Sequence, residues 1–252
     1  MCWLRVRTWS ASFRPPEYNH AVTSETPPQL SEQRRRAYLD ALGIDVWMPQ
    51  QEGDAANVGD APASPPAGMD WTVLRETVTT CTRCPLHESR TQTVFGVGNP
   101  DADWLIIGEA PGAEEDRRGE PFVGRAGKLL DEMLRAVGQE RGDVFIANIL
   151  KCRPPNNRDP NPGEAAECRG YLERQIELVN PKIILAVGRI AAQQLLGTDA
   201  PVGRLRGSLH HLGEVPLVVT YHPAYLLRSP TQKRKAWDDL CLASRVLAEV
   251  AA

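Results

Sequence analysis

The sequence predicts an α/β fold, a short parallel sheet flanked by helices. Short apolar runs alternate with stretches of helical periodicity, and that alternation builds a parallel sheet covered on both faces. The 252 residues are 42% hydrophobic and 24% charged, the balance of an ordinary soluble globular chain with one good core and a small appendage.

The elements follow in order. Residues 1–30 are Pro-rich and aperiodic, and no element is assigned to them. Ser31 to Trp47 carries a capping Ser31, helical spacing in Ala37, Leu39 and Leu42, and a stop at Gly43, which predicts one short helix. Pro49 to Gly68 is rich in Ala, Pro, Gly and acids, with Val58 its only large apolar residue, and has the composition of a linker. Two domains are therefore expected: an N-terminal extension over 1–68 and a core domain over 69–252. Strands are expected at Trp104–Ile107, Val144–Leu150, Lys182–Val187 and Val215–Tyr221. Helices are expected at Arg125–Val137, Gly163–Val179, Arg189–Leu196 and Gln232–Val250. In the last, Trp237, Leu240, Cys241, Ser244 and Leu247 keep an i, i+3, i+4 spacing, which makes Cys241 a helix core residue. In parallel sheets, ligands sit outside the carboxyl ends of the strands. Glu109, Asn148 and His222, far apart in sequence, are thus expected to converge at one sheet edge.

Several classes are excluded or disfavoured. No apolar run approaches the length needed to span a bilayer. Residues 1–16 contain Arg5, Arg7 and Arg14 but no continuous apolar segment, which disfavours a secretory signal and leaves a transit peptide open. A cytoplasmic location is the expectation. The net charge of −3 belongs to residues 1–70; the remainder is balanced. Between Gly203 and Lys235, six basic residues face only Glu214. Such a local basic face suits phosphate contact or an ordinary solvated surface.

Four cysteines give the strongest chemical signal. Cys81 and Cys84 form C-x2-C; Cys152 lies 68 positions after Cys84, and Cys168 a further 16 on. Uneven spacing without a secretory signal reads as one metal centre, not a disulfide frame. By ligand logic alone, four thiolates suit zinc as well as iron–sulfur. Gly108-Glu109-Ala110-Pro111-Gly112 is a strand running into a tight turn, neither a dinucleotide loop nor a phosphate loop. Alone, it reads as an ordinary βα turn. The charged run Glu114 to Arg118 reads as a solvated loop.

Taken together, the cysteine set, Gly108 to Gly127 (GEAPGAEEDRRGEPFVGRAG) and Tyr221 to Pro230 (YHPAYLLRSP) resemble the family 4 (type 4) uracil-DNA glycosylases, the iron–sulfur branch of that superfamily. The resemblance covers about residues 75–245. It implies a three-layer uracil-DNA glycosylase-like fold, one 4Fe–4S cluster on Cys81, Cys84, Cys152 and Cys168, and hydrolytic excision of uracil flipped from DNA. It implies that Phe122 stacks on uracil within a turn that includes Ala110 and Gly112, and that Asn148 reads the pyrimidine edge through its donor and acceptor. His222 supplies a hydrogen bond to the leaving uracil anion. Another branch has Asp where this chain has Ala110, so Glu109 is the carboxylate left to orient water. Glu115 is a candidate for excluding thymine at uracil C5. Leu226 is the favoured wedge, in what reads as a loop, with Arg228 on phosphate. The partner is uracil-containing DNA, bound by a monomer away from any membrane, with the N-terminal extension open to a replication or repair protein. Two rival classes stand beside this one: a redox iron–sulfur protein and a non-catalytic uracil-DNA-binding module.

Overall fold

The computed structural model describes residues 68–250. The helix expected over Ser31–Trp47, most of the linker and Cys2 lie outside the described residues.

The described chain runs α1 (Trp71–Thr80), α2 (Leu86–Ser89), β1 (Val97–Gly98), β2 (Trp104–Gly108), α3 (Ala113–Arg118), α4 (Arg125–Arg135) and β3 (Phe145–Asn148). After these come α5 (Pro162–Val179), β4 (Ile183–Val187), α6 (Arg189–Leu196), α7 (Val202–Leu205), β5 (Leu209–Leu212), β6 (Val215–Thr220), α8 (Pro223–Arg228) and α9 (Lys233–Val250). The sheet order is β1-β3-β2-β4-β6-β5. The central four strands, β3-β2-β4-β6, pair parallel, as the alternation predicts. Both edge strands are antiparallel and were not among the expected elements. β1 spans two residues and β5 has an alternating exposure pattern, so neither offers the apolar run that marks a central strand.

Every residue of β2 and β4 is buried, because helices cover both faces of the sheet. Along β2, Leu105 and Ile107 enter one apolar cluster, with Leu74, Leu86, Tyr171 and Ala191 of α1, α2, α5 and α6. Trp104 and Ile106 enter the other, with Leu130, Leu226 and Leu240 of α4, α8 and α9. The strand period of two thus divides the core into two halves, and the architecture is three-layered.

The helices follow their apolar stripes. α5 begins with a capping box: Glu164 accepts from the backbone N–H of Asn161 at 2.9 Å, and Pro162 stands at the first turn. α9 buries Ala236, Asp239, Leu240, Ala243 and Val246. Asp239 is fully buried, yet paired: Arg206 donates to it at 2.8 and 3.1 Å and Thr220 at 3.0 Å, tying α9 to β6. Cys241, expected in the core, is only half-buried, because the stripe turns Leu240 inward.

Two stretches expected as loops are helical. Residues 113–118 form α3, in which Asp116 is buried and accepts the Thr91 backbone N–H at 2.9 Å, so this charged run is not wholly solvated. Residues 223–228 form α8, with Pro223 at its first turn and His222 as its N-cap.

Candidate active site

Strand register sets up the site. Gly108 pairs with Asn148 and Val187 with Thr220, so the central strands finish level. Order reverses around β2: β3 lies on one side and β4 on the other. That is the switch point where a crevice opens beyond the strand ends. A pocket of about 470 Å³ lies there, lined by Glu109, Ala110, Gly112, Glu115, Phe122, Asn148, His222 and Arg228. Seven of the eight sequence-expected base-, DNA- and catalysis-linked residues therefore meet in one cavity, and Glu115 meets them.

The eighth does not. Leu226 is 1% exposed and packs in the core with Leu130 and Leu240. Once residues 223–228 coil into a helix, Leu226 faces inward and its neighbour Leu227, 37% exposed, faces out. The expectation for Leu226 as a wedge is corrected on that ground.

Phe122 is held in an uncommon backbone state, with φ of 53°. Surroundings fix it there. Arg141 donates to the carbonyls of Pro121 and Phe122 and pairs with Asp131 at 3.1 Å. Glu115 accepts the Val123 and Gly124 N–H groups at 3.0 and 3.1 Å. A side chain at Gly127 would collide with the Phe122 carbonyl at 1.6 Å, so this loop seats only on glycine. Backbone held in such a state costs of order 1–3 kcal/mol, which these contacts offset.

Gly108 serves the same wall. A Cβ there would meet Asn148 Oδ1 at 2.5 Å and the Phe122 ring at 2.6 Å. Asn148 itself is 2% exposed, and its Oδ1 has no hydrogen-bond partner. A buried carbonyl left unpaired costs roughly 1–3 kcal/mol, so a group that donates into the pocket would satisfy it.

His222 accepts the Ala224 N–H through Nδ1 at 3.1 Å, the N-cap bond of α8. A neutral ring then carries its hydrogen on Nε2. Burial, with Arg228 adding to it and Glu115 opposing, pulls the imidazole down to about 4. Its ring lies 5.5 Å from that of Phe122 at 28°. Burial and then Asp159 push the Glu109 carboxyl up, while Arg189 opposes them.

The four cysteines line a second cavity with Arg83, Arg90, Lys151, Glu167 and Tyr171. None of the four is in a disulfide. Arg90 donates to Cys152 Sγ at 3.0 Å and the Lys151 N–H to Cys168 Sγ at 3.4 Å. Burial pushes the Cys84 and Cys152 thiols up and Cys168 up to about 12.

Asn157, Tyr225 and Ala126, also on the pocket wall, were not singled out from sequence. Asn157 sits in the Pro-rich loop after Cys152 with φ of 52°, its side chain held by Arg153 at 2.8 Å. An Asn-Asn pair after two prolines is a readable turn signal, but nothing in it points to a pocket.

A doubly covered sheet whose switch-point pocket offers an aromatic plane, an unpaired amide and a neutral imidazole donor is a receptor for a planar, hydrogen-bonding heterocycle. A family model described as the uracil DNA glycosylase superfamily matches residues 95–241. The chain is 43% identical over 175 residues to the type-4 uracil-DNA glycosylase of Archaeoglobus fulgidus, covering 66% of this chain and 87% of that protein. It is 48% identical over 159 residues to that of Thermotoga maritima, covering 62% and 83% respectively. It is 44% identical over 182 residues to that of Pyrobaculum aerophilum, covering 69% and 93%. The chain belongs to the uracil-DNA glycosylase superfamily, in its type-4 branch. Among the described residues, no helix is long and apolar enough to cross a membrane.

Proposed function

We propose that this protein is a DNA-repair glycosylase that hydrolyses the N-glycosidic bond of uracil in DNA, releasing uracil and leaving an abasic site. The observation that carries it is the unpaired, buried Asn148 amide in the pocket with His222 and Phe122. A flipped uracil stacks on Phe122, and its N3–H meets Asn148 Oδ1. Cytosine has no N–H at that position and leaves the acceptor unpaired, which is a strong basis for rejection.

As the C1′–N1 bond breaks, its electron pair passes to uracil and spreads onto O2. The His222 Nε2–H donates there, and the bond strengthens as charge develops. A neutral donor avoids placing a full cation in a buried pocket. Glu109, as carboxylate, orients the water that attacks C1′ and accepts its proton. Arg228 contacts phosphate, and the exposed Leu227 fills the gap left by the flipped base. The working form is a monomer, and residues 1–68 are the segment that would bind another repair or replication protein.

The four thiols hold one 4Fe–4S cluster. All four cysteines line one cavity. Cys81, Cys84, Cys152 and Cys168 would hold the cluster as four thiolate ligands. When bound, the cluster supplies a crosslink among three chain segments, and the excision chemistry stays with the pocket residues.

Release of uracil from a single-uracil duplex under single-turnover conditions tests this reading; tight DNA binding without release would overturn it. Its pH profile is a second expectation. Glu109 acts as carboxylate with a pKa above the ordinary 4.5, so the rate should fall as pH drops through that raised value. His222, neutral above about 4, should add no inflection near 6.5. Glu109→Gln should slow the reaction and remove this acid limb; an unchanged limb returns Glu109 to a structural role. The neutral imidazole also links to stability. The unfolded ring binds a proton below about 6.5, so the contribution is present above that pH and is lost as pH falls towards 4.

Deleting residues 1–68 should leave a folded, brown protein that still excises uracil. The family match begins at residue 95, and the cut spares Met69, whose carbonyl accepts from Arg174 at 2.7 Å. A soluble truncation without colour or activity would place the extension inside the catalytic domain.

A further inference from the structure

Among the described residues, Lys151 is the buried cation that the chemistry above leaves unused. It is 1% exposed. Its ammonium donates to the Asn148 carbonyl at 2.9 Å and to Gln175 Oε1 at 2.5 Å. Gln175, fully buried in α5, passes its own amide to the Phe95 carbonyl at 2.9 Å. The Lys151 carbonyl accepts the Val94 N–H at 2.8 Å. No carboxylate pairs with this ammonium among the described residues. A buried cation without a counter-charge is costly and is not kept for stability alone.

Its position supplies a reason. Lys151 lines the cysteine cavity together with Arg83 and Arg90. Arg83 is paired with Glu167 at 3.0 Å, so Arg90 and Lys151 are the unneutralised cations there. Four thiolates around a cluster with two positive charges leave a net negative centre that these cations balance. The same ammonium holds the main chain of the residue that reads the base, and the next residue in sequence is the ligand Cys152. Three residues thus join the base-reading amide to a cluster ligand.

We infer that Lys151 is a positioning residue with two contacts: it is the buried counter-charge of the cysteine-bound cluster, and through the Asn148 carbonyl it sets the amide that recognises uracil. The inference rests on the glycosylase and cluster reading above. It makes cluster occupancy felt in the pocket through charge and backbone position, without electron transfer. Gln175 fixes the ammonium between the two, and its own bond to Phe95 anchors it to the segment that leads into β1.

The test uses the full-length holoprotein and a single-uracil duplex. Lys151→Met keeps the volume and removes the charge. It should retain full iron content, lower the cluster midpoint potential because a nearby positive charge is gone, and slow single-turnover release by about 10–100-fold. In an Asn148→Ala background the same change should cost less than about twofold, because residues that act through one another do not add. Losses that multiply in the double variant would overturn the link to Asn148. Should Lys151→Met lose iron or fail to fold, Gln175→Met carries the test, since it spares every cysteine and removes one oxygen that holds the ammonium. It should slow release severalfold with iron unchanged, again with no further loss beside Asn148→Ala; a wild-type rate for Gln175→Met would sink the inference. Wild-type holoprotein that releases no uracil would instead overturn the glycosylase reading. An unchanged midpoint potential in Lys151→Met would then overturn the counter-charge role on its own.

Discussion

His222→Ala is expected to lower the single-turnover rate of uracil release by roughly 10²–10³-fold, the scale of losing one donor aimed at a developing anion. The structure makes the donor specific. Nδ1 is occupied by the Ala224 N–H, so only Nε2–H is free to act. Binding of uracil DNA should weaken far less, since Arg228 and the basic residues around it still reach phosphates. Asn148→Ala should damage rate and base choice together, because it removes the one buried acceptor in the pocket without a partner. His222 also caps α8, and losing that cap costs about 1 kcal/mol. Thermal unfolding of the variant separates this modest effect from the kinetic one. Near-wild-type rates for both variants would refute the pocket even if the protein still excised uracil.

Cys152→Ser should bleach the protein and destabilise its fold. Cys152 is 5% exposed and Cys168 7%, both within the apolar cluster that contains Leu74, Leu150, Tyr171 and Leu172. Cys81 and Cys84 flank the end of α1, Cys152 follows β3, and Cys168 lies in α5. A cluster on these four closes loops of 68 and 16 residues, and metal binding of this kind contributes directly to folding free energy. Without it, three segments lose their common anchor, and the loop after Cys152 that brings Asn157 to the pocket loses its hold. Cys241→Ser is the matched control: half-buried in α9 and outside the cysteine cavity, it should leave colour and iron unchanged. Iron analysis, the visible spectrum and thermal unfolding read all of this. Full iron and an unaltered spectrum in Cys152→Ser would remove Cys152 from the ligand set, and zinc without iron in anaerobically purified protein would replace the cluster.

The sequence by itself determined the central sheet, because strands buried on both faces must be continuously apolar and β2 and β4 are. It also placed the ends of those strands, and with them Glu109, Asn148 and His222, since a parallel sheet gathers its strand ends at one edge whatever lies between. The cysteine set and the motifs around Gly108 and Tyr221 were legible because they are local and contiguous. Tertiary structure alone decided the rest. The edge strands β1 and β5 exist only because β3 and β6 offer open backbone partners, which no local pattern encodes. Leu226 and Leu227 have the same chemistry, and their opposite fates depend on which way α8 rotates against α4 and α9. Phe122 was readable as an aromatic in a glycine-rich loop. That it is locked at positive φ by Arg141, Glu115 and Gly127 required residues that only folding brings together. Lys151 is the sharpest case: in sequence it is only a lysine beside a cysteine, and ammonium groups favour water. Only the fold buries it, and only the fold shows the two carbonyls, and the cysteine cavity, that make its burial possible.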